Sequence, residues 1–381
     1  MREEEKVRIA QEAMMAYYSA DDPDNKRYAL QINASVSEEA KRIHQESIII
    51  DACSFYLEKY NWHLKESGVT AVNLTVPRAT YNIGQTVWSI IDHYEAVRKD
   101  QEHFILAETG DDIRTAKKEN KVGVILGAQT CKFLEHGDVD SAVEVFAKMG
   151  MRVIQIGYNG RTFASDGCMC GTNAGLSPAG RKLVRALENS GVTVDISHIS
   201  ERSALDVLDM CTKPPVFSHS NPRELFDHPR NITAEEAKKC AAAGGVIGVC
   251  SYVPILWNKK HLPCIEDFVD AIAYYADLVG IDHVGIGIDS NSQPGAYERH
   301  ETRRLMELAH PNRDVYLEGA EAGRGKACAY PEGLYSLANI VNIVEHMLKR
   351  GFLEEDVKKV LGENFLRVFD QTWRSKGFRL I

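Results

Sequence analysis

The sequence contains no apolar run of about 18 residues, the length a helix needs to cross a bilayer, so membrane-spanning classes drop out. It has no excess of basic charge. Against 54 Asp and Glu stand 45 Lys and Arg, a net charge of −9, whereas a surface for nucleic-acid phosphates needs clustered cations. No GxGxxG follows the first apolar run and no GxxxxGK[ST] occurs, so nucleotide-binding folds lose support. The N-terminus, MREEEKVRIAQEAMMAYYSADD, lacks the apolar stretch and small-residue cleavage site of a secretory signal. The nine cysteines are odd in number and scattered, several of them inside apolar runs, which suits reduced thiols in a cytoplasm better than a disulfide framework. Cys168 and Cys170, in DGCMCG, stand too close for a zinc ribbon and have no second pair, so they are expected to be loop packing. Low-complexity tracts are missing too.

What is present is a soluble globular composition, 44% apolar and 26% charged, in a chain of 381 residues that can bury a large core. Eight short apolar runs lie at 47–53, 69–75, 122–127, 151–157, 192–197, 215–218, 245–251 and 283–289. Helical patterns separate nearly all of them, among others at 86–99, 141–149, 179–189 and 265–278. Their punctuation is chemical: Ser177-Pro178 places Pro in a first helical turn, Thr233-x-x-Glu236 is a capping box, and Gly244 ends that helix. Runs apolar on both faces, alternating with helices, predict an α/β fold of the (β/α)8 TIM-barrel type, with a doubly wound open sheet as the alternative. Residues 1–46 read as an N-terminal helical extension, two helices around a polar turn at 21–26, the second opened by Ser35-x-x-Glu38. Residues 47–381 read as the barrel domain, with a long loop at 290–329 and closing helices at 334–349 and 354–361.

The stretch 191–232 organises the chemistry. Its two strand-like runs, 192–197 and 215–218, each end in Ser-His, and a helix that Ser200 would cap lies between them. Strand, helix, strand makes a βαβ unit with parallel strands, so His198 and His219 fall on one carboxyl edge of the sheet, where barrels place their active sites. The other strand ends offer Cys53, Phe55, Leu126, Tyr158 and Asp289. Two imidazoles and a carboxylate can hold one divalent metal such as zinc, leaving a position for water that can attack a carbonyl. Asp289 is then a ligand or the base that takes the water's proton. Cys53 is a further candidate ligand, or a small buried hydrophobe. Arg230, in HPRN, can grip a substrate carboxylate through its planar fork, and Tyr158 can donate to an oxyanion.

The segments DISHIS, FSHSNPRELFDHPRNI, NAGLSPAGRKLV, HVGIGID and YPEGL…LGENFLRVF together resemble the membrane (renal) dipeptidase family of zinc hydrolases, from about residue 48 to 369. The resemblance implies an amidohydrolase-type (β/α)8 barrel, hydrolysis of dipeptides with two zinc ions, and a homodimer. Residue by residue it implies that His198 and His219 hold the second metal, that Arg230 holds the substrate carboxylate, and that Asp289 serves the catalytic proton. It also exposes departures. The family's first strand ends Asp-Gly-His-Asn-Asp and here reads Asp51-Ala52-Cys53-Ser54-Phe55, so Cys53 and Phe55 replace two metal ligands. The bridging glutamate of the third strand is aligned with Leu126, and a substrate-site histidine with Tyr158.

The expectation is therefore an enzyme, a hydrolase with at most one divalent metal, zinc by ligand type, acting on a small amide- or carboxylate-bearing substrate that is dipeptide-like with a free carboxylate. Two alternatives stay open. One is metal-free acid–base chemistry by a lyase, isomerase or tautomerase using His198, His219, Asp289 and Tyr158; the other is a barrel kept for binding alone. Leu126 and Phe55 would give an apolar pocket floor suited to a hydrophobic substrate body.

Overall fold

The computed structural model describes residues 33–54, 61–135, 137–258, 260–261, 263–289, 331–334 and 337–374. The first expected N-terminal helix, the turn at 21–26, Phe55 and the loop 290–329 lie outside them.

Among the described residues, nine parallel strands form one sheet: β1 (Ile50–Ser54), β2 (Ala71–Thr75), β3 (Phe104–Leu106), β4 (Val122–Ala128), β5 (Met151–Gln155), β6 (Thr193–Asp195), β7 (Val216–Phe217), β8 (Val246–Val249) and β9 (Val284–Ile286). Eight follow the order β1-β2-β4-β5-β6-β7-β8-β9, and β3 pairs only with β4 at the outside. The ends of this path meet. The Asp289 N–H donates to the Cys53 carbonyl at 2.9 Å, and the Ile288 N–H to Asp51 Oδ1 at 2.8 Å. The result is a nearly closed eight-stranded parallel barrel with helices between strands, the expected (β/α)8 architecture. The edge strand β3 and the helix Gly110–Glu119 after it were not anticipated.

Helix boundaries follow the caps. Thr233 and Glu236 form the expected box at Ala234–Ala242, and Ser177 caps Pro178–Ser190. The expected cap Ser35 is corrected to Ser37, whose side chain accepts from the Ala40 N–H and opens Glu38–Glu46; Ser35 sits in a preceding 3-10 turn. Among the described residues no helix is long and apolar enough to cross a membrane.

Inside the barrel, Ile50, Ala52, Ala71, Ile125, Val153, Val216 and Val246 form a layer near the strands' N-terminal ends. The helix Asn364–Thr372 closes that end with Phe365, Leu366, Val368 and Phe369. A Cβ at Gly285 would collide with the Phe365 ring, so the glycine makes room for this plug. With the bottom packed solid, only the carboxyl ends of the strands are left to line a cavity.

A buried histidine, His93, and a partly buried one, His44, give the fold an acid-sensitive component. His44 and His93 each hold a ring nitrogen without a hydrogen-bond partner among the described residues, Nε2 and Nδ1 respectively. Burial pushes both down to about 4, helped at His44 by Lys117. The unfolded chain therefore takes up these protons first, near pH 6.5, and stability falls as pH drops from there towards 4. Each ring costs about 2 kcal/mol by pH 5. The buried carboxyls of Asp51 and Glu236, pushed up to about 7 by desolvation, act in the opposite sense, so a difference isolates the histidine term. Urea unfolding of a His93→Leu variant should lose about 2 kcal/mol less between pH 7 and pH 5 than the parent. Parallel pH profiles would show that His93 is not held neutral.

Candidate active site

β6 and β7 carry the expected pair to the mouth of the barrel. His198 Nε2 and His219 Nε2 lie 2.9 Å apart, with ring centroids 4.9 Å apart, and both residues are buried. A Cβ at Gly287 would strike the Ser218 carbonyl and stand 3.1 Å from His219 Cβ, so the glycine of HVGIGID lets β9 lie close against this histidine. Tyr158 stacks on the His198 ring at 4.4 Å. His198 and Asp289 both adopt left-handed backbone, φ 65° and 56°. His and Asp reach that region more easily than most residues, and such strain collects at functional sites.

Cys53 and Asp289 complete the cluster. One ligand atom from each of Cys53, His219 and Asp289 lies within 4.8 Å of the others. The β1–β2 register slips between Asp51 and Ser54, an irregularity of the kind that re-aims side chains at barrel rims. Cys53 Sγ donates to Asp289 Oδ1 at 3.4 Å and accepts from Gln129 Nε2 at 2.8 Å. Arg230, expected at the mouth, is buried, with Nη1 donating to Ser220 Oγ at 2.9 Å and Nη2 to the His219 carbonyl at 2.7 Å.

Leu126 is corrected: it is not on the pocket floor. It packs in the outer core that holds Val124 and Met151, whereas Ile125 belongs to the layer inside the barrel. A Cβ at Gly127 would meet Asn73 Oδ1, so the inward series on β4 runs 125, 127, 129. The polar group that β4 sends to the site is Gln129. Strand alternation carried one step past the apolar run would have found it.

Electrostatics follow from depth. Burial pushes the Cys53 thiol well up, reinforced by Asp289 and Asp51. Burial also raises Asp289, while Arg230 and the hydrogen bonds from Cys53 and Gln129 pull it back. His219 is driven well down, first by burial and then by Arg230.

The donor set fits one divalent cation. Asn159 Oδ1 can only accept, so at 2.6 Å it takes the Nδ1 proton of His198. His219 Nδ1 lies 2.6 Å from Ser218 Oγ, whose hydroxyl donates to Asp195 Oδ2 at 2.6 Å, so this ring also donates from Nδ1. Both Nε2 atoms then turn lone pairs towards one another, an arrangement that calls for a positive charge between them. Imidazole nitrogens on a tetrahedral zinc ion lie about 3.3 Å apart, so a small opening of the 2.9 Å pair admits one. Gln129, which reaches Cys53 and Asp289, brings a neutral amide, a poor bridging ligand, to this cluster.

Fold and site together define an amidohydrolase-type barrel with a histidine pair at its carboxyl edge. The sequence model of the membrane dipeptidase family, peptidase family M19, matches residues 9–308, and the chain belongs to that family. Dipeptidase tcpJ of Claviceps purpurea (strain 20.1) is 27% identical over 266 residues, which cover 69% of this chain and 54% of that protein. The chain thus spans about half the length of that relative. An amidohydrolase from Pseudomonas aeruginosa superposes with a TM-score of 0.75 at 30% identity, covering 88% of this chain and 99% of its own. A metallo peptidase from Rhodobacter sphaeroides, crystallised with a phosphinate mimic of the dipeptide L-Ala-D-Ala, shares the fold with a TM-score of 0.71 at 17% identity, over 86% of this chain and 100% of its own.

Proposed function

We propose that this protein hydrolyses a small, dipeptide-like amide bearing a free carboxylate, with one divalent metal ion in place of the family's pair. The observation that carries the reading is the convergence of His198 Nε2 and His219 Nε2 at 2.9 Å beside Cys53 and Asp289, with an amide at Gln129. The dipeptidase name of the 27% identical relative supports the substrate class. His198 and His219 would hold the ion, with Cys53 or Asp289 completing the set. A bound divalent ion supplies Lewis acidity to the scissile carbonyl and acidifies water.

The chain's own groups do the rest. Arg230, fixed by Ser220 and the His219 carbonyl, pairs with the substrate carboxylate. Asp289 takes the proton of the attacking water and returns it to the departing amine. Tyr158, braced on His198, donates its phenol to the developing oxyanion.

The test combines metal analysis by mass spectrometry with a dipeptide panel. We expect close to one equivalent of zinc or another divalent metal, cleavage of dipeptides but not of their C-terminal amides, and loss of activity on chelation that added metal restores. Full activity in metal-free protein would transfer the chemistry to the acid–base alternative. Two equivalents of metal would overturn the single-ion reading.

A further inference from the structure

We propose that Asp195 is a positioning residue that acts through Ser218 to fix the tautomer of His219, so that its Nε2 lone pair, not a proton, faces the ion site. The proposal rests on the single-metal reading above and deepens it.

The three groups form one continuous chain. Asp195 Oδ2 accepts from Ser218 Oγ at 2.6 Å, Ser218 Oγ accepts from His219 Nδ1 at 2.6 Å, and His219 Nε2 points to His198 Nε2 at 2.9 Å. All three residues are at most 2% exposed, so water does not compete for these bonds. Asp195 Oδ1 accepts from the Ser197 N–H at 2.9 Å and the Ser218 N–H at 3.2 Å, which anchors the carboxylate across β6 and β7. Register explains the meeting: Asp195 pairs with Val216, and Ser218 follows two residues later, just past the end of β7.

Proton direction then follows. An ionised carboxylate only accepts, so the Ser218 proton is committed to Asp195 and the hydroxyl oxygen is left to accept. His219 must supply the proton of the next bond from Nδ1. Remove the carboxylate and the hydroxyl is free to donate to Nδ1. The imidazole proton would then sit on Nε2, in the space an ion would occupy. Asp195 makes no salt bridge among the described residues. An unpaired charge buried this deeply is costly, and a cation held at the far end of the relay would offset it. Partners behind metal-bound histidines tune affinity in this way.

The experiment uses the full chain, its Ser218→Ala and Asp195→Asn variants, and the double variant, with zinc as the probe. Affinity is read by chelator competition, and the His219 tautomer by nitrogen-15 NMR of the zinc-free protein. Each single variant should bind zinc about 10- to 100-fold more weakly. The double variant should be no weaker than either single one, because the relay acts as a unit. His219 should carry its proton on Nδ1 in the parent and shift towards Nε2 in Ser218→Ala. That variant keeps the Asp195 bonds to both backbone amides, so it decides the question even if Asp195→Asn fails to fold. Parent-like affinity and an unchanged tautomer in Ser218→Ala would overturn the relay. So would additive losses in the double variant. A parent that binds no zinc would sink the metal reading alone, since the tautomer shift tests the relay without metal.

Discussion

Replacing His219 by alanine is expected to remove bound metal and to lower kcat/KM at least about a thousandfold, roughly 4 kcal/mol of lost transition-state stabilisation. The effect is large because this imidazole stands at the junction of the site. Its Nε2 faces His198, its carbonyl anchors Arg230, and it is the histidine grouped with Cys53 and Asp289. A remaining imidazole and a thiol pushed up by burial bind zinc poorly compared with three or four protein ligands. The carbonyl that holds Arg230 belongs to the backbone and survives, so substrate carboxylate binding should suffer less than turnover. His198→Ala should lose metal in the same way. Tyr158→Phe keeps the ring stacked on His198 and should cost about 10²- to 10³-fold in kcat, the usual worth of one oxyanion donor, with its metal retained. Metal content and steady-state kinetics on the same preparations check all three. A His219→Ala protein that keeps both its ion and its rate would place the active centre elsewhere.

The parts of this site that could be read from the sequence are those governed by strand periodicity and parallel connections. Two Ser-His endings separated by one helix had to reach the same edge, and they do. The Leu126 assignment failed on a one-residue matter. An inward position is set by alternation, and Ile125, not Leu126, faces the barrel interior, which makes Gln129 the residue at the mouth. The supporting polar shell was illegible for a different reason. Asp195 and Ser218 look like ordinary strand residues until register brings them together. Asn159 was invisible as the partner of His198 because the intervening loop has no periodic pattern. Likewise β3 is three residues long and lies outside the barrel path, too short to announce itself by periodicity. Cys53 sits where the β1–β2 register slips, and such irregularities leave little trace in a single sequence.

The second large effect concerns Asp289. An Asp289→Asn variant is expected to lose about 10²- to 10⁴-fold in kcat, the usual worth of a positioned acid–base group, or about 3–5 kcal/mol. Asparagine is the right replacement on backbone grounds. Asp289 sits at φ 56°, a region asparagine enters readily and alanine does not, so the change alters chemistry without new strain. The amide can still meet Cys53 Sγ and Gln129, which contact the present carboxylate at 3.4 Å each. What it cannot do is take up a proton from water. KM should change little, because the substrate carboxylate is assigned to Arg230. Metal content separates the two roles open to this residue. If Asp289 is the base, Asp289→Asn keeps its ion on His198 and His219 and loses only rate. If the ion is lost along with the rate, Asp289 is a ligand and the proton must travel by another group. An unchanged rate would exclude both roles, leaving the left-handed turn and its contacts with Cys53 and Gln129 as a purely structural closure between β1 and β9.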